Sequence, residues 1–197
     1  MARILVLYGT THGHSEMIAT AIGNALIARG CDADTIQAGT IDPRPEDYDG
    51  IIVAASVHAG RYQQTVGQWL RSHIEALRSK PTAFLSVCLG VLQNDPKVRA
   101  DLDAIVRAFL DPLGWQPTIV KPVAGALLYT KYNFLVRWMM KRIAAKAGGD
   151  TDTSRDYDYT DWKDLTTFAE AFARLASTGI IPATGKIPRQ PKADPPS

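Results

Sequence analysis

Cysteine is scarce in these 197 residues: Cys31 and Cys88 are the only two. They lie far apart and in no metal-ligand or redox spacing, which argues against a disulfide framework or a zinc site and suits a reduced, cytoplasmic setting with free thiols. No apolar run approaches the roughly 20 residues needed to cross a bilayer, so the sequence does not read as an integral membrane protein. The opening residues Met1 to Tyr8 run straight into a glycine loop. Lacking the apolar stretch and cleavage site of a signal peptide, they are expected to form a buried strand. A large excess of charge is also missing, the formal net charge being +2. What is present, 46% hydrophobic and 21% charged residues, is the composition of a soluble globular protein with room for one well-buried core.

Hydrophobic periodicity alternates along the chain. Ile4 to Tyr8 has strand length, and Ile18, Ala19, Ile22, Ala25 and Leu26 recur at helical spacing between Ser15 and Arg29. Further strands are expected at Ala33 to Gln37 (weak), Gly50 to Ala55, Pro81 to Val87 and Thr118 to Ala124. Helices are expected at Thr65 to Leu77, Val98 to Leu110 and Asp161 to Leu175. Continuously apolar strands joined by helices predict an α/β fold, a doubly wound five-stranded parallel sheet covered on both faces. The common order 2-1-3-4-5 puts a ligand at the carboxyl ends of the strands, where the loops after strands 1 and 3 meet. The expected organisation is one domain over residues 1–177, with an insertion at 127–159, followed by a proline-rich disordered tail at 178–197.

The loop after strand 1 reads Gly9 Thr10 Thr11 His12 Gly13 His14 Ser15 and leads into a helix. Backbone N–H groups converging at a helix N-terminus favour an anion, the hydroxyls of Thr10, Thr11 and Ser15 can add hydrogen bonds, and the glycines allow close approach. The loop has neither the Gly-Lys-Ser/Thr ending of a triphosphate loop nor the G-x-G-x-x-G spacing of a dinucleotide site, which leaves a terminal phosphomonoester. The plainer alternative is a helix cap made by Ser15 or Thr11. His12 and His14 either support the phosphate or are solvated, and the pair lacks the partners of a metal site.

Thr10, Thr11, His12, Gly13, His14 and Ser15 resemble the FMN-phosphate loop of flavodoxins, with His12 in place of the middle hydroxyl. The resemblance implies that Ser56, Val57, His58, Ala59 and Gly60 after strand 3, and Ser86, Val87, Cys88 and Leu89 after strand 4, flank the flavin ring. Tyr62 is placed either to stack on the flavin or to pack in the core. His58 and Tyr62 are candidate catalytic residues by their expected proximity to the ring. The aromatic that many flavodoxins carry after strand 4 is missing, leaving one flavin face open for a substrate.

At 100° per residue, Val136, Met139, Met140, Ile143, Ala144 and Ala147 share one arc and Arg137, Lys141, Arg142 and Lys146 the other, predicting a basic amphipathic helix stopped by Gly148 and Gly149. Such a helix lies on an anionic membrane, clamps an apolar molecule bearing carboxylates, or packs its apolar face on the domain. Lys131 Tyr132 Asn133 Phe134, then Arg137 Trp138 Met139 Met140 Lys141, Gly148 Gly149 Asp150 Thr151 Asp152 and Tyr159 Thr160 Asp161 Trp162 closely resemble the quinone-dependent protoporphyrinogen IX dehydrogenases of heme biosynthesis. The likeness extends over about Met1 to Ala176.

That resemblance implies FMN as cofactor, oxidation of protoporphyrinogen IX to protoporphyrin IX, electrons passed to a quinone (menaquinone or ubiquinone), and peripheral association with the cytoplasmic membrane. Tyr129, Lys131, Arg137, Trp138, Lys141 and Arg142 are the candidate substrate-binding residues, as an apolar groove with cations for the propionates. A flavodoxin-type electron carrier is disfavoured by the lack of acidic charge, and an NAD(P)H:quinone reductase by the absence of a nicotinamide-binding feature. No nucleic-acid-binding module accompanies the basic helix. A homo-oligomer is compatible with these residues.

Overall fold

The computed structural model describes residues 1–93, 95–131, 134–146 and 150–179. Five parallel strands, β1 (Arg3–Gly9), β2 (Asp32–Gln37), β3 (Gly50–Ser56), β4 (Thr82–Val87) and β5 (Ile119–Val123), form one sheet in the order 2-1-3-4-5. The class and strand order expected from the sequence are those observed. Because successive side chains of a strand point to opposite faces, β1 sends Ile4, Val6 and Tyr8 into one core and Leu5 and Leu7 into the other. β3 divides in the same way, Ile52 and Ala54 against Ile51, Val53 and Ala55. Each such Leu or Ile contributes about 1.5–3 kcal/mol by full burial, which is why these strands have no polar alternation.

The first core is covered by α1 (His14–Ala28) and α5 (Trp162–Thr178), through Ile18, Ile22, Leu26, Phe168 and Phe172. The second is covered by α2 (Gln64–Leu77) and α3 (Pro96–Leu110), through Val66, Trp69, Leu70 and Leu110. Edge strand β2 is polar and only partly buried, which explains its weak sequence pattern. Edge strand β5 tolerates Pro122 because it is paired on one side only.

The insertion has more structure than one helix. β6 (Ala126–Leu127) pairs antiparallel with β7 (Tyr157–Asp158), and between them come a 3-10 turn, Tyr129–Lys131, and α4 (Phe134–Lys146). Leu127, Leu128, Tyr129 and Ala144 form a satellite core. The helix stop at Gly148 and Gly149 and the tail beyond Gly179 lie outside the described residues. α5 continues to Thr178, one residue past the domain boundary expected at 177.

Candidate functional site

β1 ends at Gly9, and α1 begins at His14 with Gly13 as its N-cap at φ 91°, a left-handed conformation that suits glycine. No side chain caps the helix, so neither Ser15 nor Thr11 takes that part. Instead the Gly13 N–H donates to Thr10 Oγ at 2.8 Å, inside the loop. Ser15 is 1% exposed, and its Oγ has no hydrogen-bond partner among the described residues. A buried hydroxyl without a partner costs about 1–3 kcal/mol. At the mouth of a helix N-terminus it is a site built for an external acceptor such as a phosphate oxygen.

Loop 3 turns back on itself: the His58 N–H donates to the Arg61 carbonyl at 2.8 Å and the Arg61 N–H returns to the His58 carbonyl at 3.0 Å. The turn carries Gly60 at φ 75° and Ala59 at φ 47°. Gln63, just before α2, ties two loops together, its Nε2 reaching Ser56 Oγ at 2.8 Å and Thr11 Oγ1 at 3.3 Å. The loop after β4 is fixed by Val57 N–H to Val87 O and by Cys88 N–H to Val123 O, both at 3.0 Å.

Between these loops and the insertion lies a cavity of about 810 Å³. Thr10, His12, His14 and Ser15 line it from loop 1; Ser56, Val57, His58, Ala59 and Gly60 from loop 3; and Val87, Cys88, Leu89 and Gly90 from the end of β4 and the loop after it. The opposite wall is Leu127, Leu128, Met140 and Ala144, with Asp150 and Tyr159 as its polar groups. Tyr159 Oη donates to Asp150 Oδ2 at 2.6 Å. That wall went unnoticed in the sequence, although Met140 and Ala144 lie on the apolar arc of α4 that periodicity did reveal.

Several candidates lie elsewhere. Thr11, Gly13 and Ser86 are not among the cavity's walls. Ser86 shares a hydrogen bond of 2.7 Å with Tyr62 Oη, and Tyr62 packs edge-on to Phe84 at 5.1 Å between ring centroids, the packing alternative of its two expected roles; it is not among the cavity's walls. Burial pushes the Tyr62 phenol up to about 12, against the opposing effect of its bond to Ser86. Tyr129 is fully buried and donates to the Asp150 carbonyl, so it supports the wall from behind rather than meeting a substrate. Among the described residues no lysine or arginine lines the cavity. Arg137 donates to the Tyr129 carbonyl, Lys141 and Arg142 are exposed, Arg142 lies 4.4 Å over the half-exposed Trp138 ring, and Lys131 reaches the phosphate loop.

His14 is buried rather than solvated, its Nε2 2.7 Å from Thr160 Oγ1 and 3.7 Å from Asp158. His12 and His58 meet edge to face at 5.3 Å. Burial is the leading cause that lowers all three imidazoles; the Lys131 charge adds to it at His12 and His14, His12 adds to it at His58, and Asp158 opposes it at His14. A histidine whose folded pKa is depressed binds fewer protons than in the unfolded chain, so its contribution is complete above the unfolded value of about 6.5 and is lost as pH falls below it. The melting temperature is therefore expected to fall between about pH 7 and about pH 5, and His14→Gln to flatten that fall. Parallel pH profiles for variant and wild type would remove His14 from this account.

The fold and the phosphate loop define a flavodoxin-domain protein, and residues 5–154 match the family described as Flavodoxin domain. Among solved structures the chain is similar in fold to flavodoxin 2 of Bacillus cereus, with a TM-score of 0.51, 19% identity, and coverage of 88% of this chain and 99% of that one. It is 33% identical over 174 residues to the protoporphyrinogen IX dehydrogenase (quinone) of Escherichia coli strain K12, covering 88% of this chain and 96% of the relative. It is 31% identical to the protein of the same name from Leishmania major, covering 98% of this chain and 80% of the relative. The chain belongs to the protoporphyrinogen IX dehydrogenase (quinone) family.

Proposed function

We propose that this protein binds FMN and oxidises protoporphyrinogen IX to protoporphyrin IX, passing the electrons to a quinone. Family membership supports the reaction. The observation that carries it onto this chain is the cavity, in which a phosphate-ready loop faces an apolar wall that the insertion supplies. Bound flavin supplies the redox chemistry, and the protein's part is to hold, orient and desolvate.

Thr10, Ser15 and the first N–H groups of α1 hold the phosphate. Loops 3 and 4, with Val57, His58, Ala59, Val87, Cys88 and Leu89, receive the ring. Leu127, Leu128, Met140 and Ala144 present an apolar surface to the tetrapyrrole, and the Asp150 carboxylate, held by Tyr159, accepts hydrogen bonds from pyrrole N–H groups. His12 and His58, with lowered pKa, serve as neutral acceptors at the ring end. Lys141 and Arg142 of α4 are exposed and line no part of the cavity; they serve a different partner, an anionic membrane surface in which the quinone is dissolved. The association proposed is peripheral; among the described residues no helix is long and apolar enough to cross a membrane.

An anaerobic assay with protoporphyrinogen IX and menaquinone or ubiquinone tests the proposal. FMN-loaded protein is expected to form protoporphyrin fluorescence only when quinone is present. Quinone reduction by NAD(P)H without porphyrinogen turnover would transfer the chain to a different flavodoxin-fold activity.

A further inference from the structure

The loop after β1 lacks the lysine that phosphate loops commonly carry, and the insertion brings one to it. Lys131 Nζ lies 3.4 Å from the His12 carbonyl and 3.5 Å from the point where a Cβ on Gly13 would stand. The ammonium thus sits over the N-cap of α1, two residues before Ser15, whose buried hydroxyl has no partner among the described residues. The acceptor found for it is a neutral carbonyl, and no carboxylate among the described residues pairs with it. A cation held at a helix N-terminus without a counter-ion among the described residues, in a loop region that also carries a buried orphan hydroxyl, is complementary to a dianionic phosphate.

Its placement is built in. Lys131 ends the 3-10 turn Tyr129–Lys131, whose own N–H donates to the Leu128 carbonyl at 2.9 Å. Tyr129 anchors that turn in the satellite core, and Thr130 grips Asp156 twice, through its N–H at 2.9 Å and its hydroxyl at 2.7 Å. The neighbouring imidazoles already respond to the charge, since Lys131 adds to the burial that lowers His12 and His14.

We propose that Lys131 is a phosphate-binding residue for FMN, so that the substrate wall closes on the cofactor through its phosphate. The proposal rests on the FMN reading above and deepens it. Cofactor loading and seating of the insertion are then coupled, and by linkage each favours the other.

Titration of the flavin-free protein with FMN and with riboflavin, followed by quenching of flavin fluorescence, separates the two ideas. Wild type is expected to prefer FMN. Lys131→Gln is expected to weaken FMN binding about tenfold, leave riboflavin binding unchanged and flatten the salt dependence, while Lys131→Arg keeps most of the affinity. Unchanged FMN affinity in Lys131→Gln, or equal losses for both flavins, overturns the role of Lys131. Failure of the wild type to prefer FMN over riboflavin overturns the phosphate-site reading itself, and this proposal with it.

Discussion

Changing Lys141 and Arg142 together to glutamate is expected to reduce binding to vesicles containing acidic phospholipid by roughly thirtyfold to several-hundredfold at low salt. Phe134 is 85% exposed and Trp138, one helical turn on, is 50% exposed, an arrangement that places both on one side of α4. Arg142 lies over the Trp138 ring, and Lys141 is exposed beside it. Exposed aromatics next to cations suit the boundary between headgroups and acyl chains, where ring and charge each keep a favoured environment. Each cation near an anionic leaflet is worth about 1 kcal/mol, so reversing two changes binding by roughly 2–4 kcal/mol. At about 1.4 kcal/mol per tenfold, that is roughly one and a half to three orders of magnitude. Wild-type binding should weaken with salt, whereas the loss in Phe134→Ser with Trp138→Ser should be largely independent of salt. Flavin binding serves as the control. Undiminished sedimentation of the charge-reversed protein with acidic vesicles would sink the membrane reading.

The legible parts of this molecule are those that local pattern determines. β1, β3 and β4 are buried on both faces and therefore read as unbroken apolar runs, while β2, polar and at the edge, gave a faint signal. The junction between β1 and α1 was legible because an apolar run, a glycine- and hydroxyl-rich loop and a helical period follow one another in sequence. The missed features depend on contacts between distant segments. His14 is buried because Thr160 and Asp158 return to it from the far end of the insertion. For Tyr62 the sequence allowed stacking or core packing, and the packing is decided by Phe84 and Phe109, which belong to other elements. Two-residue strands such as β6 and β7 have no periodicity to detect. For α4, periodicity separated the basic arc from the apolar one correctly, but only the packed structure shows Met140 and Ala144 turned to the cavity and Lys141 and Arg142 turned away from it.

Gly9→Val is expected to damage fold and cofactor site together, lowering stability by about 3 kcal/mol and FMN affinity by about a hundredfold. A Cβ at Gly9 would stand 2.5 Å from Val66 Cγ2 and 2.8 Å from Gln63 Oε1. Val66 lies in the first turn of α2 and Gln63 is its N-cap, so β1 can end there only without a side chain, and a branched one must push the helix away. Val66 is fully buried in the second core and cannot yield into open space. At about 2–4 °C per kcal/mol for a chain of this size, the melting temperature should drop by roughly 6–12 °C. The loss of affinity follows from Gln63, whose amide joins Thr11 of loop 1 to Ser56 of loop 3. Displacing it separates the loop that holds the phosphate from the loop that receives the ring, and the two halves of one ligand are no longer bound in register. Gly30→Ala provides the control: it adds left-handed backbone strain at φ 79°, which Gly9 does not have, but nothing lies within 4 Å of the added Cβ and the turn is at the other end of α1. It should cost about 1 kcal/mol and leave FMN affinity unchanged. If Gly9→Val bound FMN as tightly as Gly30→Ala, the close approach of β1 to α2 would not be what sets the spacing of the cofactor loops.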